Sequence, residues 1–193
     1  MLGVLFNNKY LIIFIFLIAW YFVKNKNTTV FKLFLFIVFL LYVYKVFELT
    51  GILGIVENLS NIKLSFDSIG FAFRNSQFIP FYFLIEGLKL NNNNFLLLLG
   101  STYMRKSLYN LVMLIPFGIL VPWLFKHRIE KVLSLTITLV LFIESTQFFS
   151  NVFNISSRSF NVDDFILNIL GSIIGYFIFR VILKNLLHTK LTK

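Results

Sequence analysis

The sequence predicts an all-α fold: a polytopic membrane helix bundle of about five transmembrane helices plus a long outward segment with interfacial or re-entrant helices. Three observations predict it. The 193 residues are 58% hydrophobic and only 13% charged, whereas soluble domains run nearer ~45–50% apolar and ~25% charged, so the excess apolar surface must face lipid. The apolar residues gather in five runs close to the ~20 residues needed to cross a ~30 Å hydrocarbon core. The basic residues sit at the ends of those runs, where they set topology and meet anionic headgroups.

The runs follow in order. The first, residues 10–23, follows Lys9 as a signal-peptide core would, but Trp20 and Tyr21 are bulky where a cleavage site needs small residues, so it reads as an uncleaved helix, extended by residues 2–6. Lys24, Lys26 and Lys32 bracket a short link to the second run, residues 30–47. Residues 48–106 contain Glu57, Lys63, Asp67, Arg74, Glu86 and Lys89, so most of this stretch cannot cross lipid. Within it, Asn91 to Asn94 reads as a turn, and residues 95–100 are apolar but too short to span, which suits an interfacial or re-entrant piece. The third run, residues 108–125, holds Pro116, Gly118 and Pro122 and should kink. The fourth is residues 132–149, followed by a polar stretch at 150–163. The fifth is residues 165–183, and a basic tail ends the chain. The whole reads as one polytopic membrane domain, residues 1–193.

The formal net charge of +10 would suit phosphate contacts in a nucleic-acid binder, but its place beside apolar runs points to membrane lipids as partners and not to nucleic acid. The chain has no cysteine, and its two histidines, His127 and His188, lie in basic flanks. Disulfides, thiolate nucleophiles and a histidine metal site are therefore not expected, and neither is a metal nor any other cofactor. The links after the first and third runs and the tail are all basic, and with five spans they fall on one side. The positive-inside rule makes that side cytoplasmic, with the N-terminus outside, the C-terminus inside, and residues 48–106 and 150–163 outward. Arg105 and Lys106 run against this orientation.

The residues that could carry chemistry lie between Tyr109 and Tyr176. Glu144 and Gln147 sit inside the fourth run on one helix face. A charge deep in a membrane helix costs about 2.5–3.5 kcal/mol, so it usually faces a partner or a wet cavity. Glu144 lies about 9 Å along the helix from Ser150, which fits a pure headgroup role poorly. Asp163 and Asp164 open the fifth helix, where carboxylates satisfy free amides and favour the helix dipole. That explanation leaves out Asn168, one turn further in. Asp164, Asn168, Gly171 and Gly175 share a face, and the two glycines form a small-xxx-small pattern that admits a close neighbour. Asn110, near the outer end of the third run, could bond Glu144 or Asn168, or act as an interfacial cap. Together, Asn110, Glu144, Gln147, Arg158, Asp163, Asp164 and Asn168 form a candidate polar pocket, with Pro116, Gly118, Gly171 and Gly175 as candidate helix-packing positions.

These residues form a string: Asn110-Leu111, then Pro116-Phe117-Gly118 and Pro122, Glu144-x-x-Gln147, Arg158, Asp163-Asp164, Asn168, Gly171 and Gly175-Tyr176. The string resembles the VanZ-like family, whose pattern is a kinked N-L-x-x-x-x-P-F-G helix, an E-x-x-Q helix and an R-x-x-D-x-D-D-x-x-x-N-x-x-G-x-x-x-G loop and helix. A less regular upstream element, N-L-I-P-F, is similar to Gln77-Phe78-Ile79-Pro80-Phe81, giving a VanZ-like core over about residues 75–180. Asn161 departs from the family's Asp. It keeps hydrogen-bonding capacity but loses the charge, which would weaken any pairing with Arg158 or a ligand.

The resemblance implies a bacterial, Gram-positive cell-envelope membrane protein linked to antibiotic resistance, specifically to lowered susceptibility to the lipophilic glycopeptide teicoplanin. In that setting the polar pocket would bind a lipid-linked or cell-wall component, with Arg158 meeting an anionic group. The alternative is a membrane enzyme acting on a lipid-linked substrate with Glu144 or Asp164 as general base. A third alternative is structural glue.

Overall fold

The computed structural model describes residues 8–24 and 29–191, and the described residues are helices joined by short links. The segment 2–6 lies outside them. The helices are α1 (Asn8–Lys24), α2 (Val30–Leu49), α3 (Ile52–Glu57), α4 (Phe66–Asn75), α5 (Tyr82–Leu90), α6 (Phe95–Leu99), α7 (Thr102–Met113), α8 (Ile115–Phe125), α9 (Ile129–Val152) and α10 (Val162–Leu191). Four stretches are long and apolar enough to cross a membrane: Val30–Leu49, Thr102–Phe125, Ile129–Val152 and Val162–Leu183. The first of the five expected spans is shorter. At 17 residues, α1 is about 25 Å long, a little under the hydrocarbon thickness.

By packing, the chain divides into two compact units, one ending at Lys45 and one starting at Val46. In the first, Tyr21 stacks on Phe36 with ring centroids 3.9 Å apart, and both rings are buried. Most of the other side chains described in α1, from Ile12 on, are exposed and apolar, among them Ile12, Ile15, Phe16 and Val23. A surface of this kind is unfavourable in water and ordinary in lipid.

The second unit is built around α10, which packs against α7, α8 and α9. The third expected span is not one bent helix but two, broken at Leu114. Pro116 stands in the first turn of α8, where its missing N–H breaks no bond and its fixed φ suits a helix start. Leu114 at the break is fully buried. Residues 48–106 fold as short helices with explicit punctuation. Gly51, at φ 79°, ends α2 in the left-handed conformation and donates its N–H to Glu48 O at 3.1 Å. Ser65 and Ser68 form a reciprocal capping box at the start of α4. The Asn91–Asn94 turn has Asn92 and Asn93 in the left-handed region, which Asn tolerates better than most residues. Asn94 then caps α6, whose Leu98 is buried against Gly87 of α5.

The polar stretch after α9 is held by this region. The Lys63 N–H donates to Phe153 O at 3.0 Å, and Ser68 Oγ donates to Val152 O at 2.7 Å. The Gln77 N–H donates to Phe160 O at 2.8 Å, and the Val162 N–H donates to Gln77 O at 2.9 Å, making a parallel bridge between Gln77 and Asn161. The two sequence elements that carry the resemblance, 77–81 and 158–175, thus meet.

Candidate functional site

The site lies where α7, α9 and the start of α10 converge, and small residues make that convergence close. A methyl group on Gly171 would stand 1.9 Å from Leu111 O, one on Gly175 2.1 Å from Ile115 O, and one on Gly118 2.0 Å from Ser172 O. All three targets are backbone atoms, so α10 runs in direct main-chain contact with α7 and α8. On its other side, Thr136 Oγ1 and Ser172 Oγ are 2.7 Å apart, both fully buried, which joins α9 to α10 within the bundle. Pro116, at the start of α8, directly follows Ile115, the residue that Gly175 meets.

Above that level the polar side chains gather. Glu144 is 2% exposed, and its Oε2 accepts the Asn161 N–H at 2.9 Å. Gln147, one turn on, is buried and donates from Nε2 to Thr50 O at 2.9 Å. Asp164 lies beside the Asn110 side chain and within electrostatic reach of Glu144. Asn168 is 1% exposed and its Oδ1 has no hydrogen-bond partner.

Two of the residues act differently from what their sequence positions suggest. Asp163 is buried, and its carboxylate reaches across to the start of α5, accepting the Phe81 and Phe83 N–H groups, the latter at 2.9 Å. These amides need an acceptor because Phe81, in the left-handed conformation, offers α5 no side-chain cap. Asp163 therefore caps a distant helix rather than its own. The cap of α10 is Asn161, whose Oδ1 accepts the Asp163 N–H at 2.9 Å. Asn and Asp serve equally in that role, so the departure at Asn161 leaves the cap intact.

Arg158 stands apart from the carboxylates. Its guanidinium lies over Gly51, with Nε 2.6 Å from where a Cβ would be. It forms no ion pair among the described residues and acts on Asp164 through space, as Lys106 does.

Sequence reasoning missed Thr50, Gly51, Lys106 and Asn151. Gly51 was findable as a glycine closing an apolar helix. Asn151 was findable as the next member of the Glu144, Gln147 stripe; it is buried and its Nδ2 has no partner. Lys106 carried no signal beyond its charge.

No curated protein and no solved structure matches the chain. A profile of the VanZ/LLP1 family does, over residues 34–184, which takes in α7 to α9, the head of α10 and every residue of the polar cluster. With well over half of its length matched, the chain, which has several helical stretches long and apolar enough to cross a membrane, belongs to the VanZ/LLP1 family.

Proposed function

We propose that this VanZ-family membrane protein acts in the cell envelope of a Gram-positive bacterium and lowers susceptibility to lipophilic glycopeptides. In this account the polar cluster is an outward-facing pocket for a lipid-linked or cell-wall component. One observation carries the proposal: Glu144 is buried within a membrane-crossing helix beside Asp164, with Asn168 Oδ1 unpartnered close by. Burying such groups is costly, and a purely structural cluster would satisfy them. Teicoplanin carries an acyl tail that holds it at the membrane, where an outward pocket can alter its access; vancomycin lacks that tail.

The test is expression in a susceptible Gram-positive host. Teicoplanin tolerance should rise more than vancomycin tolerance. Equal shifts would indicate general envelope stress, and no shift with the protein confirmed in the membrane would refute the resistance reading.

A second reading is favoured by the same pair of carboxylates. Two acids in one low-dielectric site are suited to proton transfer, with Glu144 or Asp164 as general base on a lipid-linked substrate. Conversion of an envelope lipid by the wild type, abolished in Glu144→Gln, would select it.

A further inference from the structure

We propose that the cluster at the head of α10 holds the headgroup of a phospholipid that carries a primary ammonium group beside its phosphate. This rests on reading the cluster as a ligand pocket and names the class of ligand.

Around Glu144, Asp164 and Asn168 the acceptors outnumber the donors; the unpartnered donor Asn151 Nδ2 lies two turns beyond Glu144 along α9. A carboxylate has roughly four lone-pair sites. Asp163 is supplied by two backbone amides. Glu144 receives the Asn161 amide, and Asp164 lies beside the Asn110 side chain. Asn168 Oδ1 receives nothing, although the residue is 1% exposed. Like charges repel strongly where the dielectric is low, and Lys106 and Arg158 act on Asp164 only from a distance. The missing component is therefore a compact cation with several N–H donors, which describes an ammonium group.

The register puts the unpartnered oxygen in the same place as the carboxylates. The Thr136–Ser172 contact fixes α9 against the antiparallel α10. One turn towards the head of α10, Val140 comes level with Asn168; one turn further, Glu144 comes level with Asp164, the pair found in electrostatic reach. Asn168 Oδ1 thus lies one turn beneath the two carboxylates on the same face of α10.

The surroundings suit the rest of such a lipid. Lys106 and Arg158 are exposed at the head of the site, where a phosphate next to the ammonium would meet them. On α7, Leu108, Tyr109 and Val112 are exposed next to Lys106 in the sequence and offer an apolar wall to acyl chains.

The test uses the full chain purified in detergent and native mass spectrometry with four lipids of identical acyl chains. These are phosphatidylethanolamine, lysyl-phosphatidylglycerol, phosphatidylcholine and phosphatidylglycerol. The first two share the ammonium and phosphate, and comparing them identifies the source. Phosphatidylcholine has the same net charge as phosphatidylethanolamine but no N–H donor. Phosphatidylethanolamine should be retained roughly tenfold or more over phosphatidylcholine, the weight of one hydrogen bond to a charged group. Glu144→Gln and Asp164→Asn should bring that ratio close to one, while Lys131→Ala should leave it unchanged. Equal retention of phosphatidylcholine and phosphatidylethanolamine by the wild type overturns the proposal without recourse to any variant, as does a ratio unaltered in both carboxylate variants. The two readings fail separately. Teicoplanin tolerance without an ammonium preference discards the headgroup and keeps the pocket, whereas the preference without tolerance discards resistance and keeps the headgroup.

Discussion

Glu144 and Asn161 are joined by a 2.9 Å hydrogen bond from the Asn161 amide to the Glu144 carboxylate, across 17 residues of chain. The bond ties the buried acid of α9 to the residue that caps α10, so the acid and the helix start are positioned together. Asn161 does this with its backbone, which leaves its side chain free to cap.

Asn161→Asp should therefore be close to neutral for stability, since the cap acceptor is kept and Asp favours a helix start. Asn161→Ala removes the cap and should cost about 0.5–2 kcal/mol. Thermal unfolding of the two variants in detergent checks this; a larger loss for Asp than for Ala would contradict the capping role.

Gly51→Ala should destabilise by about 1–2 kcal/mol, the cost of a left-handed non-glycine residue, and should also displace Arg158, whose Nε lies 2.6 Å from the new methyl. Gly54→Ala is the control. It lies within α3, and nothing lies within 4 Å of its added methyl, so it should be neutral or stabilising by about 0.5–1 kcal/mol. Melting temperatures that fall equally for both would remove the special role of Gly51.

Much of the fold was legible because lipid imposes a length and a composition on each crossing helix. Four apolar runs fell within helical stretches of sufficient length, one of them made of two consecutive helices, and their ends lie near the basic and polar residues that bound them. The break at Leu114 was visible only as a kink, because Pro116 is compatible both with a bent helix and with the start of a new one. Residues 48–106 were legible as non-spanning but not in their folds, since the short helices there depend on local caps and on pairing with residues 153–162. For the site, spacing on α9 and α10 marked Glu144, Gln147, Asp164 and Asn168. It could not reveal that Asp163 serves Phe81 and Phe83, 80 or more residues away. Nor could it reveal that Arg158 lies over Gly51, because loop contacts have no periodicity.

Gly175→Ala should disrupt the seam between α8 and α10. Its methyl would stand 2.1 Å from Ile115 O, a backbone atom that cannot rotate away, and overpacking of this kind costs roughly 1–3 kcal/mol. Size-exclusion profiles in detergent should show aggregation or reduced yield. A monodisperse variant with an unchanged melting temperature would show that the seam is looser than described.

Topology can be read directly because the chain has no native thiol. A cysteine at Ser156 should react with an impermeant maleimide in intact cells, and a cysteine at Lys131 should react only after permeabilisation. The reverse pattern would invert the orientation and place the cluster on the cytoplasmic side.

A working pocket at Glu144 is tested by comparing teicoplanin tolerance with membrane protein level in Glu144→Gln. The amide keeps an oxygen to accept the Asn161 N–H but removes the charge, so folding and function are separated. Near-wild-type protein level with tolerance lost is the expected result. Full tolerance in the variant, or loss of the protein itself, would contradict a working pocket and leave Glu144 as structural glue.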